Sequence, residues 1–228
     1  MSNIAIIPAR GGSKRIPRKN IKLFLGKPII AYSIEAALKS KLFDEVMVST
    51  DDEEIARVAI KYGANVPFYR SKKNSDDYAT TFDVLNEVIS RYKEMNKNFE
   101  YTCCIYPCAP FITNEKLIKA HDLLTKNNAN SVFNIVEYSY PIQRSLRLVG
   151  TKTEFNDVRH TSTRSQDLEK TYHDSGQFYF MKSSIVLNDE EVVGNNSHSI
   201  IVSEFEVQDI DTAIDWRLAE IKHQLLKL

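Results

Sequence analysis

Short apolar runs alternate along the chain with longer segments whose apolar residues recur at helical spacing. The short runs predict buried strands at residues 4–8, 45–49, 101–106 and 131–136. The longer segments predict helices at residues 28–40, 52–62, 78–95 and 114–126. Because strands and helices alternate, we expect an α/β fold with a mostly parallel sheet and helices on both faces.

The alternation breaks between residues 137 and 175, where the sequence is polar and has short alternating pieces such as SLRLVG. This segment predicts an insertion that carries a hairpin and a long loop. Strands are predicted to return at 176–181 and 199–202, before a closing amphipathic helix at 212–226. The 228 residues are therefore interpreted as a single domain, residues 1–228, with 137–175 as an insertion.

The topology predicts where a ligand would bind. In open sheets of this class, ligands lie beyond the carboxyl ends of the strands. The loops that follow the predicted strands should therefore converge on one site. These loops span residues 8–20, 49–52, 70–81 and 106–113.

Composition argues against whole classes of partner. Lys plus Arg and Asp plus Glu both number 30, so the formal net charge is zero, and we expect no nucleic acid or membrane partner. We also expect no signal peptide or membrane span. Cys103, Cys104 and Cys108 lie within six positions and have no other cysteine to pair with, which favours reduced thiols and a cytoplasmic location.

The predicted first strand leads directly into a glycine-containing basic loop, Arg10-Gly11-Gly12-Ser13-Lys14, followed by Arg15, Arg18 and Lys19. Glycines let backbone N–H groups approach an anion, and arginine matches phosphate oxygens, so a polyphosphate fits this pattern. The spacing matches neither the P-loop nor the dinucleotide-binding fingerprint. The alternative is a solvated basic turn.

A second candidate lies near the C-terminus, at Asp209-Ile210-Asp211. In an extended segment these two carboxylates face the same way. Paired carboxylates suit Mg²⁺, which commonly binds one or two of them together with substrate phosphates. The alternative is that Asp211 only begins a helix, where aspartate is common.

Six short segments of the chain, taken in order, resemble the motifs of a known enzyme family. The segments IIPARGGSKRIPRKN, VSTDDEEIA, FYRS, SDDYATT, YPCAPF and DIDT follow one another along the chain. As a set they resemble the CMP-sialic acid synthetases, the cytidylyltransferases that activate nonulosonic acids. The segment RSQDLEKTYHDSGQFYF looks most like that of the pseudaminic acid cytidylyltransferases. Tyr106 and the region of His173 depart from the sialic acid pattern, where glutamine and an arginine–asparagine arrangement are more usual.

The resemblance implies a three-layer Rossmann-like nucleotidyltransferase fold with a small β-rich dimerisation insertion. It implies that CTP and a nine-carbon α-keto acid give a CMP-sugar and pyrophosphate, with Mg²⁺ as cofactor. Pseudaminic acid is the α-keto acid that the resemblance favours. Such products serve the glycosylation of surface structures such as flagellin or polysaccharide. The family also forms homodimers through the insertion, which can help to close the partner's site.

The same resemblance implies site residues. The catalytic residues would be Arg10, Lys19 and Asp211. The CTP-binding residues would be Pro8, Ala9, Arg10, Gly11, Gly12, Ser13, Lys14, Lys19, Asn20, Arg70, Ala79 and Thr81. The sugar-binding residues would be Tyr106, Arg164, Gln166, His173 and Gln177. The metal ligands would be Asp209 and Asp211.

Several alternatives stay open from the sequence. Arg164 could instead be an exposed salt-bridging arginine, and His173 could be satisfied structurally by its neighbour. The acceptor could be N-acetylneuraminic acid or legionaminic acid, or another sugar or polyol phosphate. From a different class, the protein could be a non-catalytic nucleotide-binding regulator.

Overall fold

A six-stranded sheet runs through the centre of the protein, with helices on both faces. The computed structural model describes residues 2–226. The strands are β1 (Asn3–Pro8), β2 (Leu23–Phe24), β3 (Lys27–Pro28), β4 (Glu45–Ser49), β5 (Tyr101–Ile105), β6 (Ser131–Glu137), β7 (Leu146–Val149), β8 (Lys152–Phe155), β9 (Tyr172–Lys182) and β10 (Ser197–Val202). The helices are α1 (Ile29–Ser40), α2 (Glu53–Lys61), α3 (Thr81–Glu94), α4 (Asn114–Lys126), α5 (Ser183–Leu187) and α6 (Ala213–Leu225).

The order of strands in the central sheet is β10-β6-β9-β5-β1-β4. Strand β1 pairs in parallel with β4 and β5, and β10 pairs in parallel with β6. Strand β9 runs antiparallel to both of its neighbours, β5 and β6. The predicted mostly parallel sheet is therefore confirmed, with β9 as the reversed strand.

The central strands are buried on both faces, which explains why they read as continuous apolar runs. In β1, Ala5 and Ile7 pack on the face covered by α1, α2 and α4, whereas Ile4 and Ile6 pack on the face covered by α3 and α5. Full burial of each such isoleucine contributes about 1.5–3 kcal/mol. The core therefore holds the carboxyl end of β1 firmly in place.

Helix starts follow from capping side chains. The side chain of Asp52 accepts hydrogen bonds from the N–H groups of Glu54 and Ile55 at the start of α2. Thr80 and Asp83 form a capping box at the start of α3. Helix α3 therefore begins at Thr81, three residues after the predicted start at 78, and leaves residues 78–80 in the loop over the site.

Outside the central sheet, β7 and β8 form an antiparallel hairpin followed by a loop of irregular structure. The segment between β6 and β9 spans residues 138–171, because β9 begins at Tyr172, four residues before the strand predicted at 176–181. Several apolar side chains of this segment are exposed, with Leu148 75% accessible.

Helix α6 packs across the loops at one end of the sheet. Its Trp216 lies edge-on to Phe24, with ring centroids 5.7 Å apart, and the two residues share a buried cluster with Ile16 and Ile210. This packing brings residues 209–211 beside the basic loop. Among residues 2–226, none of the helices has the length and apolar character needed to cross a membrane.

Candidate active site

The loops that follow β1, β4 and β5 meet at the carboxyl end of the sheet, as the topology predicted. Asn20 joins two of them. Its side-chain amide donates to the carbonyl of Arg10 at 3.0 Å, and its side-chain oxygen accepts from Cys108 Sγ at 3.2 Å. The backbone N–H of Ala9 donates to the carbonyl of Ser49 at 2.9 Å. Buried Asn20 thereby fixes the basic loop against the loop after β5.

A cationic cleft of about 360 Å³ lies over the end of β1. It is lined by Pro8, Arg10, Ser13, Lys14, Arg15, Lys19, Asn20 and Pro107. Four of these eight side chains carry positive charge, so the cleft suits a polyanion. The bonds within the loop keep it compact, since the hydroxyl of Ser13 donates to the carbonyl of Ile16 at 2.7 Å.

Two of the cleft's cations are paired with a carboxylate from the loop before α3. Arg10 Nη1 donates to Asp77 Oδ1 at 2.8 Å, and Lys14 Nζ donates to Asp77 Oδ2 at 2.5 Å. The hydrogen bond from Lys14 lowers the pKa of Asp77 below its ordinary value. An internal anion thus bridges two side chains that the sequence assigned to phosphate binding.

Asp211 contacts two of the cations that line this cleft. Ile210 is buried between Asp209 and Asp211, as expected for an extended segment. Arg15 Nη1 donates to Asp211 Oδ2 at 2.7 Å. Lys19 Nζ donates to the carbonyl of Ile210 at 2.7 Å and lies 3.7 Å from Asp211 Oδ1.

This donor set suits a hard cation only in the presence of substrate. Within residues 2–226, no cluster of three or more His, Cys, Asp and Glu side chains could hold a metal ion. Two carboxylates fit Mg²⁺ when phosphate oxygens and water complete its coordination. The binding of Mg²⁺ by these two residues stays a prediction, with Asp211 beside the cationic cleft and Asp209 in the cleft that adjoins it.

A second cleft, of about 350 Å³, adjoins the first. It is lined by Lys19, Asn20, Tyr106, Pro107, Cys108, Asp174, Ser175, Gly176, Gln208, Asp209 and Ile210. Lys19, Asn20 and Pro107 line both clefts. The two clefts therefore meet at these three residues.

Tyr106 and Asp174 define one wall of the second cleft. The hydroxyl of Tyr106 lies 3.4 Å from Thr81 Oγ1, and burial raises the pKa of Tyr106. Asp174 accepts from the N–H of Gly176 at 2.8 Å and from the hydroxyl of Tyr179. Burial and then the Asp174 hydrogen bond raise the pKa of Tyr179, so this phenol is neutral at physiological pH. Burial likewise raises the pKa of Cys108 to about 12, which leaves its thiol protonated.

Arg70, Ala79 and Thr81, which the resemblance assigns to CTP binding, line neither cleft, and only Arg70 contacts the end of β4. Arg70 is buried, and its guanidinium donates to the carbonyl and hydroxyl of Ser49 at 2.5 and 3.1 Å. Burial lowers the pKa of Arg70. Ala79 donates its N–H to Asp76 Oδ1 at 2.8 Å, and Thr81 begins α3. The loop before α3 reaches the cationic cleft through Asp76 and Asp77, which accept hydrogen bonds from Arg10.

Four of the predicted sugar-binding residues do not line the second cleft. Arg164, with a side chain 72% exposed, pairs with Asp167 at 2.7 Å, and Gln166 lies in the same turn of the insertion. The ring of His173 contacts that of Tyr138 at a tilt of 54°, with centroids 4.8 Å apart. Gln177 is 3% exposed and donates to the carbonyl of Glu206 at 2.6 Å, beneath the cleft.

The cleft contains residues that the sequence analysis did not single out. Asp174, Ser175 and Gln208 line it, and Asp77 bridges the cations. One signal was available for the first two, because Asp-Ser-Gly favours a turn. Gly176 adopts φ +62°, and the pairing of β6 with β9 is irregular beside it. That irregularity turns Asp174 and Ser175 toward the cleft.

Comparison with known proteins agrees with this geometry. The cytidylyltransferase family model matches residues 4–215. The chain belongs to the cytidylyltransferase family. The matched range includes both clefts, so every residue that lines them falls inside the family's sequence pattern.

Members of the cytidylyltransferase family resemble this chain along its whole length. It is 45% identical over 226 residues to the pseudaminic acid cytidylyltransferase of Campylobacter jejuni, covering 99% of this chain and 97% of that protein. It is 31% identical over 226 residues to the CMP-N,N'-diacetyllegionaminic acid synthase of Legionella pneumophila, covering 96% of this chain and 95% of that protein.

A solved structure of CMP:2-keto-3-deoxy-manno-octonic acid synthetase complexed with CTP shares the fold of this protein. The TM-score is 0.72 at 17% identity, and the match covers 100% of this chain and 99% of that chain. At this identity the likeness shows the fold alone. It confirms the predicted nucleotidyltransferase architecture.

Proposed function

We propose that the protein joins CTP to pseudaminic acid and releases pyrophosphate. The observation that carries the proposal is the pair of adjoining clefts that share Lys19, Asn20 and Pro107. The cationic cleft fits a triphosphate, and the neighbouring cleft, of about 350 Å³, offers hydroxyl, amide and carboxylate groups to a sugar. The identity to a pseudaminic acid cytidylyltransferase supports the choice of acceptor.

The reaction balances as a nucleotidyl transfer. The C2 hydroxyl of the sugar forms a bond to the α-phosphorus of CTP, the bond from that phosphorus to the bridging oxygen breaks, and the hydroxyl proton leaves to a base or water. Pyrophosphate departs with its electron pair. Since such transfers rest on positioning and charge stabilisation, the roles of this chain are to orient the two substrates and to offset charge.

Arg10, Lys14 and Lys19 would hold the triphosphate. Lys19 has a particular position, because its ammonium lies against Ile210 and Asp211 at the junction of the two clefts. From there it can offset negative charge on the phosphate under attack. Arg10 and Lys14 can do so on the leaving pyrophosphate once CTP replaces Asp77.

Asp209 and Asp211 would bind Mg²⁺ together with phosphate oxygens. A bound Mg²⁺ supplies charge neutralisation and lowers the pKa of a coordinated hydroxyl. Arg15 and Lys19 hold the carboxylate of Asp211 in the substrate-free protein. This pairing holds the side chain of Asp211 beside the cationic cleft.

A second subunit would complete the sugar site. Among the described residues that line the second cleft, Lys19 is the sole cation, whereas Asp174 and Asp209 are acidic. An acidic sugar would need a further cation there. We infer a homodimer in which Arg164 of the partner subunit supplies it, and the exposed apolar side chains of Tyr140, Leu148 and Val158 lie in the interface.

Light scattering coupled to gel filtration tests the dimer. We expect twice the 26.2 kDa mass of the chain, and a monomer for Leu148→Glu. A monomeric native protein at micromolar concentration would contradict the shared site.

The free thiols of Cys103, Cys104 and Cys108 support a reducing, cytoplasmic location for the enzyme.

Pyrophosphate release with CTP and Mg²⁺ tests the proposed function. Pseudaminic, legionaminic and N-acetylneuraminic acids are compared in parallel. Release with pseudaminic acid alone is the expected result. Release with another acceptor would retain the CTP site and overturn the assignment of the sugar. CTP binding without release for any of them would favour the non-catalytic alternative.

A further inference from the structure

One basic residue of the loop has no role in the proposed binding of CTP. Arg18 does not line the cationic cleft, and its guanidinium donates instead to two carboxylates at the start of α2. Arg18 Nη1 reaches Asp52 Oδ2 at 2.5 Å, and Nη2 reaches Asp52 Oδ1 at 2.9 Å and Glu54 Oε2 at 2.5 Å. This geometry is a bidentate fork, the strongest arrangement of such a pair.

The other end of the loop contacts the same corner, which is formed by residues 50–54 between β4 and the first turn of α2. The N–H of Gly11 donates to Asp51 Oδ1 at 2.9 Å. A Cβ atom at residue 11 would lie 2.9 Å from Asp52 Oδ2 and 3.0 Å from Asp52 Cβ, closer than side chains pack. Only glycine allows the loop to approach the corner so closely. Asp51 and Asp52 therefore fasten the beginning and the end of segment 10–18.

The backbone of Arg18 adopts a left-handed conformation, with φ 56° and ψ 31°. Residues other than glycine rarely occupy this region, and they do so where surrounding contacts hold them. Lys19 and Asn20 come directly after this turn. The turn at Arg18 therefore sets the positions of Lys19, at the junction of the clefts, and of Asn20, which binds the carbonyl of Arg10.

Asp52 is a rigid anchor for this turn. Its Oδ1 atom accepts from the N–H groups of Glu54 and Ile55 at 2.9 and 3.0 Å, and its own N–H donates to Thr50 Oγ1 at 3.1 Å. The hydrogen bond from Arg18 lowers the pKa of Asp52 to about 2, so the carboxylate stays charged across the physiological range.

We propose that Asp52 is a positioning residue for nucleotide binding, which acts through Arg18 to shape the basic loop. This inference rests on the proposed function, since the ligand of the loop is taken to be CTP. Asp52 itself does not touch the triphosphate. Its effect reaches the ligand through the placement of Lys19, Asn20 and the loop amides.

The test combines Asp52→Asn, Arg18→Gln and the double variant. Asparagine can still cap α2, so the helix is retained while the charged fork is lost. Arg57→Gln is the matched control, because Arg57 pairs with Glu53 on the exposed side of the same helix. We expect the Kd for CTP with Mg²⁺, measured by calorimetry, to rise about ten- to hundredfold in each single variant. The double variant should lose no more than the larger single loss, since the two residues act as one unit.

Two further readouts separate positioning from general loss of stability. The KM for the sugar should rise by a smaller factor than the Kd for CTP, because the basic loop supplies two residues of the second cleft and six of the cationic cleft. Amide hydrogen exchange should speed up in residues 11–20 but not in α4. Arg57→Gln should change none of these quantities. Glu54→Gln removes only the outer contact of Arg18 and should weaken CTP binding less than Asp52→Asn.

Native-like CTP affinity in Asp52→Asn and Arg18→Gln would overturn the inference, as would additive losses in the double variant. Faster exchange in residues 11–20 without weaker CTP binding would also overturn it. Failure of the native protein to bind CTP, with exchange still responding to Asp52→Asn, would instead overturn the proposed function and leave the link between corner and loop intact. The two failures are therefore distinguishable.

Discussion

The carboxylate of Asp77 bridges Arg10 and Lys14 at the place where the proposed reaction requires phosphate oxygens. Arg10 also donates to the carbonyl of Asp76 at 2.9 Å, so the loop before α3 is drawn onto the cationic cleft. CTP must displace this carboxylate to reach both cations. We therefore predict that Asp77→Asn, which keeps the shape of the side chain and removes its charge, binds CTP more tightly.

The size of the gain follows from exposure. The Asp77 side chain is about half exposed, and that of Lys14 is 79% exposed. Exposed ion pairs typically change an equilibrium by no more than about fivefold each. Loss of both pairs should therefore tighten CTP binding by about two- to tenfold. The gain should shrink as salt rises, because screening over about 10 Å at 0.1 M weakens such pairs.

The expected pH dependence has a definite sign. Lys14 lowers the pKa of Asp77, so its ion pairs are fully present above the ordinary aspartate pKa and are lost only as pH falls through the lowered value. Between pH 6 and 8 the ratio of the native and Asp77→Asn affinities should therefore be constant. Isothermal titration of CTP at two salt concentrations measures it. Asp122→Asn, which breaks an exposed pair with Lys126 on α4, is the control. Weaker CTP binding by Asp77→Asn would show that Asp77 orients the cations and would refute the competition.

Three further predictions concern the metal, the acceptor and the core. Asp211→Ala should lower kcat by orders of magnitude with the fold retained by circular dichroism, and near-native turnover would remove its role in metal binding. Tyr106→Gln should shift the relative kcat/KM among the three acceptors more than the Kd for CTP. A larger change in the Kd for CTP would show that the loop after β5 does not belong to the sugar site. Phe180 is fully buried in β9, so Phe180→Ala should lower the free energy of unfolding, measured by urea denaturation, by about 3–5 kcal/mol. A loss below about 1 kcal/mol would show that the core at β9 repacks around the missing ring.

The sequence predicted most of the fold because the strands are buried on both faces and read as continuous apolar runs. Periodicity does not report strand direction, so it could not show that β9 runs antiparallel between β5 and β6. Nor did it show that β9 begins at Tyr172, because the polar Asp174 and Ser175 interrupt the apolar pattern where the strand passes the cleft. Helical spacing of apolar residues placed the start of α3 at residue 78. The capping box of Thr80 and Asp83 instead begins the helix at Thr81, and this pattern is visible in the sequence.

The place of the basic loop at the carboxyl end of the sheet was predictable, because the loop follows a buried strand. The role of Asp209 and Asp211 in metal binding stays a prediction. The carboxylate partners of the loop's arginines were not predictable. The contacts of Arg10 with Asp77 and of Arg18 with Asp52 span 67 and 34 positions along the chain, and only the folded sheet brings them together. For Arg164, whose contact with Asp167 matches the salt-bridging alternative, the proposed sugar role depends on a second subunit.

In the proposed reaction, a sugar hydroxyl in one cleft attacks the α-phosphorus of CTP in the other. Pseudaminic acid labelled with ¹⁸O at the C2 hydroxyl tests it directly when the products are examined by ³¹P NMR. We predict that the label appears in the bridging oxygen of the CMP-sugar and that the pyrophosphate is unlabelled. An unlabelled bridge would mean that the C2–oxygen bond breaks, and it would contradict the proposed transfer.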